Sequence, residues 1–344
     1  MPRAQKSVKR KTRKSPVKQA TSLALDLHFH GLFGVDLMQA SSEQLESLET
    51  ELYRKGVQAY LPTTLSSPPS LFEAALARLG NHIQNQWGLG PRPRRAFPLG
   101  IHLEGPFLAQ SCCGAHPVGF LLPPDLKRLK YWWELSSKTL ARITLAPELG
   151  SPREVKNILR WCQEHSVSVA LGHSHVSFEE AKVWHQAGIR QLTHAWNAMP
   201  FHHRNPGPLG AYLGQKNTWI EIIPDGTHVH DEVLKWTHVL HPQGVFWVSD
   251  GVPGGLSGKP ASFGTLEVNH APHEPVCRTP AGALAGGALP LSELARRALK
   301  RGLLPHLGAS QLHEFCWQSP WNALGSTPQR NVWKKRIERV SRSS

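Results

Sequence analysis

Glu104 in IHLEGPF, His173 in LGHSH and His194 in THAWN each close a short apolar run. One carboxylate and two imidazoles brought together from neighbouring strands would make an open three-ligand metal site. Such a site leaves a coordination position for water, as catalytic zinc sites do. His28 and His30 in DLHFHG stand two residues apart, so on a strand both would face one side, and Gly31 would let the chain turn tightly after them. Adding this pair could build a second metal position, with Glu104 bridging the two. The alternative is one metal, with the pair only lining the pocket. No Cys is required, so the set suits one or two divalent ions, Zn, Fe, Co or Mn. Asp250 in WVSDG is the natural proton carrier: it could take a proton from a hydrolytic water and pass it to a leaving amine. An aspartate before Gly251 could equally cap a turn. His116, in the loop after Glu104, could polarise a carbonyl and stabilise an oxyanion, or be a surface histidine.

These residues need elements to hold them. Eight apolar or β-branched runs recur between residues 23 and 251: LALDLHFHG, QAYLPTTL, RAFPLGIHLEG, ARITLAPE, VSVALGHS, RQLTHAWN, TWIEIIPDG and VFWVSDG. Helical patterns lie between most of them. SSEQLESLETELYRKG spaces Leu45, Leu48 and Leu52 as a helix does, opens on a Ser41/Gln44 capping box and stops at Gly56. SPREVKNILRWCQEH and SFEEAKVWHQAG open with serine and early acids, and LSELARRALKRG follows the eighth run. Only the sixth connection, MPFHHRNPGPLGAYL, begins as a loop. Eightfold strand–helix alternation predicts an α/β fold of the (β/α)8 TIM-barrel type, whose chemistry sits at the C-terminal ends of its strands. The run ends carry His28, His30, Thr63, Thr64, Glu104, Glu148, His173, His194, Asp225 and Asp250.

The chain has 344 residues and a formal charge of +14. Residues 1–18 hold eight Lys/Arg and no acid, and without them the charge falls to +6. A second basic cluster, RNVWKKRIERVSRSS, closes the chain. Either could touch nucleic acid or another polyanion, or be a solvated tail. No aromatic is interleaved in the first, so base stacking is not suggested. No run approaches a membrane span. Cys112, Cys113, Cys162, Cys277 and Cys316 are odd in number and contain no CxxC pair, which reads as a reducing, cytoplasmic setting without a disulfide framework. The organisation reads as a basic tail over 1–22, a barrel over 23–325 and a basic segment over 326–344.

The phrases IHLEGPF, ITLAPE, LGHSHVSFEEA, THAWNAMPFHHRNPGPLGAYL, IIPDGTHVH and WVSDG resemble, in order, those of the N-acetylglucosamine-6-phosphate deacetylase family of amidohydrolases. The resemblance implies a hydrolase of amino-sugar metabolism that releases acetate from N-acetylglucosamine 6-phosphate. It implies Glu104, His173 and His194 as metal ligands, Asp250 as catalytic acid and base, and His116 as the group polarising the amide carbonyl. It further implies that Asn197, the backbone at Ala198 and Arg204 hold the sugar phosphate. His228 would reach the phosphate in the neighbouring subunit of a homodimer. Family members differ at the His28/His30 position, and those keeping both histidines bind two metals. They also carry a small β-sandwich built from both chain ends, which this sequence predicts to be absent or vestigial. Rival readings are a deacylase for another N-acyl amino-sugar phosphate or a cyclic amide, and a non-catalytic sugar-phosphate or polyanion-binding barrel. A pure binding module has no need of Asp250.

Overall fold

A computed structural model describes residues 23–304 and 308–343; the basic stretch 1–22 lies outside the described residues. All eight apolar runs supply barrel strands. They are β1 (Ala24–Phe29), β2 (Val57–Pro62), β3 (Ile101–Glu104, preceded by a short strand at Phe97–Pro98), β4 (Leu140–Leu145), β5 (Ser168–Leu171), β6 (Gln191–Leu192), β7 (Trp219–Ile222) and β8 (Val245–Trp247). Neighbours pair in parallel from β3 through β8, and β1 pairs with β2. A bridge between Thr63 and His102 joins β2 to β3. Closure comes at Gly251, which bridges Phe29 while the Asp250 N–H donates to the His28 carbonyl at 3.0 Å. Barrel closure therefore sets Asp250 beside the His28/His30 strand.

The helices form where the sequence caps them. Helix α1 (Ser42–Arg54) opens on the Ser41/Gln44 capping box and ends before Gly56, whose φ of +94° is left-handed and costs glycine little. Its buried stripe is Leu45, Leu48 and Leu52. Ser151 caps Pro152–Glu164, and Ser177 with Glu180 forms a second box at Phe178–Ala187. The sixth connection is loop as far as a short helix at Gly207–Tyr212. Helices at Pro69–Leu89, Leu126–Leu135 and Asp231–Leu240, not singled out from the sequence, complete the ring.

Two features depart from a plain barrel. Between β8 and the helix Leu291–Lys300, four short strands, β9 (Ala261–Phe263), β10 (Leu266–His270), β11 (Val276–Arg278) and β12 (Leu284–Gly287), form an antiparallel sheet. The sheet docks on the barrel rim through Gly287, whose N–H donates to the Asp250 carbonyl at 2.7 Å. A Cβ on Gly287 would lie 2.1 Å from the Ser249 carbonyl oxygen, so only glycine permits this approach. The basic C-terminal segment is a helix, Pro328–Ser343. It buries Trp333 and Ile337 in a cluster with Leu25, Leu27, Ala59, Leu61 and Phe97 of the strands. Among the described residues there is no sandwich built from both chain ends, and no helix is long and apolar enough to cross a membrane.

Candidate metal centre

The strand ends converge. Glu104 divides its carboxylate: Oε1 lies 3.2 Å from His173 Nε2 and 3.1 Å from His194 Nε2, and Oε2 lies 3.0 Å from His28 Nε2 and 3.1 Å from His30 Nε2. Asp250 Oδ1 is 3.4 Å from both His28 and His30 Nε2. The two ring nitrogens within each pair nearly touch, at 2.9 Å for His173 and His194 and 3.2 Å for His28 and His30. Four ring nitrogens and two carboxylates around one space cannot all be satisfied by protons, since each contact can share only one. A divalent cation takes lone pairs from all of them, and this thiol-free donor set fits Zn²⁺, Fe²⁺, Co²⁺ or Mn²⁺.

The surrounding shell fixes the tautomers. His173 donates from Nδ1 to the Cys112 carbonyl at 2.7 Å, and His28 donates from Nδ1 to Glu221 Oε1 at 2.7 Å. Both partners accept only, so each Nε2 presents its lone pair inward. Glu221 is held in turn by buried Arg142 and accepts the His194 backbone N–H at 3.0 Å. Burial opposes charge on Glu221, but Arg142 and His28 outweigh it and hold the carboxyl well below the usual range. Glu104 is likewise held well below the usual range, burial being outweighed by its histidine neighbours. Backbone strain collects here too. His173, His194 and Asp250 have φ of +48°, +26° and +50°, conformations that non-glycine residues adopt rarely and that cluster at functional sites.

His116 faces the same space, its Nε2 3.4 Å from Glu104 Oε2. The Ser66 backbone N–H donates to His116 Nδ1 at 3.2 Å, which leaves the ring proton on Nε2. Burial pushes its pKa down to about 4, so near neutral pH His116 is an uncharged donor. A cavity of about 200 Å³ opens above the cluster, lined by Asn197, Ala198, His228 and Asp250 and walled by Phe263, Ala285 and Gly286 of the antiparallel sheet.

The structure thus brings together Glu104, His173, His194, His28, His30, His116 and Asp250, and places Asn197 and Ala198 on the wall. Two further candidates lie apart from this cluster. His228 lines the pocket of its own chain, held at 2.6 Å by Asp225 Oδ2, because the turn after β7 folds inward. Arg204 is exposed and outside the pocket lining, since the 201–205 loop turns back on itself through paired backbone bonds between His202 and Asn205. Sequence reading missed Arg142, Glu221 and Phe263. A lone charge inside the apolar runs ARITL and TWIEII was the available signal for the first two; Phe263 gave none. Thr64, Glu148 and Asp225 brace the site from outside, Glu148 accepting from Ser174 Oγ and the His175 N–H.

No protein-family model matches the chain. Curated relatives do. It is 33% identical over 280 residues to N-acetylgalactosamine-6-phosphate deacetylase of Escherichia coli O157:H7, covering 80% of this chain and 71% of that protein. It is 31% identical to N-acetylglucosamine-6-phosphate deacetylase of Bacillus subtilis, covering 79% and 67%. The chain spans 57% to 71% of the length of such relatives. Among solved structures, N-acetylglucosamine-6-phosphate deacetylase of Thermotoga maritima superposes with a TM-score of 0.75 at 27% identity, over 88% of this chain and 78% of that one. The enzyme of Pasteurella multocida does so with a TM-score of 0.77 at 23% identity, over 88% and 76%, a likeness of fold.

Proposed function

Because the chain belongs to the N-acetylglucosamine-6-phosphate deacetylase family, we propose that it hydrolyses the acetamide of N-acetylglucosamine 6-phosphate, giving glucosamine 6-phosphate and acetate. The observation that carries this reading is the division of Glu104 between two histidine pairs with Asp250 against one of them. We assign one ion to Glu104, His173 and His194 and a second to Glu104, His28, His30 and Asp250. A bound divalent ion would supply Lewis-acid polarisation and lower the pKa of water toward 7.

The chain's own residues do the rest. Asp250 takes the proton of the attacking water on its carboxylate and returns it to the departing amine. His116, neutral and carrying its proton on Nε2, donates to the carbonyl oxygen as negative charge develops there. His228 is the phosphate contact: burial opposes its charge, but the hydrogen bond and charge of Asp225 raise its pKa, so it offers a cation to the anion. Asn197 and the Ala198 backbone orient the sugar from the wall. Arg204 joins only if a second copy presents its loop, as in the homodimer expected from the family. The five free cysteines fit a cytoplasmic setting.

The test is acetate release by purified protein together with elemental analysis of bound metal. Release with two equivalents of metal supports the full assignment. The Escherichia coli relative acts on the galactosamine epimer by its name, so both sugar phosphates belong in the assay, and a higher kcat/KM for the galactosamine substrate would move the assignment to it. No release from either, with metal fully loaded, overturns the deacetylase reading in favour of a sensor.

A further inference from the structure

The loop that carries His116 also carries two adjacent cysteines, Cys112 and Cys113, both partly exposed and unbridged; the other three cysteines are buried. The backbone of this dipeptide holds the site. The Cys112 carbonyl accepts the Nδ1–H of His173 at 2.7 Å, and the Cys113 carbonyl accepts the backbone N–H of His116 at 3.0 Å. Gly114, next in the chain, lines the pocket, and a Cβ on it would lie 3.2 Å from His173 Cε1. We propose that Cys112 and Cys113 are a redox modification site, whose oxidation by a peroxide to a vicinal disulfide reversibly loosens the metal ligand His173 and lowers turnover. The turnover part rests on the function proposed above; the effect on metal retention does not.

The chemistry balances with hydrogen peroxide as oxidant. One thiolate attacks a peroxide oxygen and becomes a sulfenic acid, releasing water after proton transfer. The second thiol attacks the sulfenic sulfur, forms the S–S bond and expels another water. The two sulfurs lose two electrons, and the peroxide oxygens gain them.

Ring closure acts on one particular peptide. Adjacent Cα atoms stand about 3.8 Å apart across a trans peptide, less than the roughly 4.4–6.8 Å that disulfides usually span. The ring must therefore twist the peptide it encloses, and that peptide carries the Cys112 carbonyl on which His173 rests. Losing such a supporting acceptor typically lowers metal affinity or activity about 10–100-fold. The same strain makes the bridge easy to reduce.

The experiment treats the Zn²⁺-loaded full chain with hydrogen peroxide. Peptide mass, retained zinc and acetate release are then read before and after dithiothreitol. The expected result is a peptide lighter by two hydrogens at residues 112–113, with zinc retention and rate falling together by about tenfold or more. Dithiothreitol restores both. Cys113→Ser and Cys112→Ser, each referred to its own untreated state, resist peroxide. The proposal is overturned if no bridged peptide forms, if the bridge forms while zinc and rate hold, or if both variants lose zinc to peroxide as the parent does. A reduced enzyme that releases no acetate would sink the deacetylase reading alone, and peptide mass with zinc retention would still decide the cysteine pair.

Discussion

In the proposed hydrolysis Asp250 carries the proton, because the transfer needs a carboxylate where water and amine meet. Asp250→Asn keeps the size and loses the basicity, so turnover should fall by about 10²–10⁴-fold. Metal held by Glu104, His173 and His194 should remain, and elemental analysis beside the rate measurement checks both halves. Retained turnover would remove Asp250 from its role. His28 and His30 carry a second prediction. Replacing both with asparagine should lower bound metal from two equivalents to one, and an unchanged stoichiometry would leave the pair as pocket lining. Every strand-end residue of the cluster was legible in the sequence, because each closes an apolar run with a side chain that burial alone would not choose. Arg204 and His228 were less legible. Their neighbours in sequence name a motif, but the direction a loop turns depends on contacts such as the His202–Asn205 pairing, which no local pattern encodes.

At the scale of elements, β1, β4 and β7 are tied through Arg142, Glu221 and His28, three fully buried polar side chains. The sequence displays two of them as stray charges in strands. Their pairing needed the closed barrel, which joins residues far apart in the chain. Removing one member of a buried ion pair strands its partner's charge at a cost of about 3–5 kcal/mol. Glu221→Gln should therefore lower the denaturant midpoint, and by loosening His28 should weaken metal binding about 10–100-fold. A variant with unchanged midpoint and metal affinity would contradict this account. The helix Asp231–Leu240 carries a pH-dependent term of its own. His238 accepts the Trp247 Nε1–H at 3.2 Å, packs on Phe315, and burial pushes its pKa from 6.5 down to about 4. The unfolded chain thus binds the proton first, so this contribution is complete above pH 6.5 and is lost as pH falls toward 4. The slope is about 1.4 kcal/mol per pH unit. His238→Gln should flatten that part of a stability–pH profile measured by urea unfolding.

For the whole molecule, the sequence announced a barrel through its eight runs and left obscure what closes it at either end. The insert between β8 and the last barrel helix is rich in Gly and Pro, and its short strands alternate too briefly to stand out, yet β9 and β12 wall the pocket. The C-terminal segment reads as a charge cluster because its apolar residues are few. The fold uses those few: Trp333 is 6% exposed and meets Trp87 and Phe97 with ring centroids 5.0 and 5.3 Å away. Arg330 completes the seal by donating to the Leu324 and Ser166 carbonyls. A large aromatic buried in a packed cluster loses about 3–5 kcal/mol on truncation to alanine. Trp333→Ala should accordingly lower the melting temperature by several degrees. The helix packs on strand residues such as Leu25 and Phe97, which precede the ligand-bearing strand ends in the chain, so kcat well below the melting range should stay near the parent value. A lowered melting point with intact kcat would establish the helix as a structural closure of the barrel. Loss of kcat in a variant that still melts cooperatively would instead tie the helix to the geometry of the metal centre.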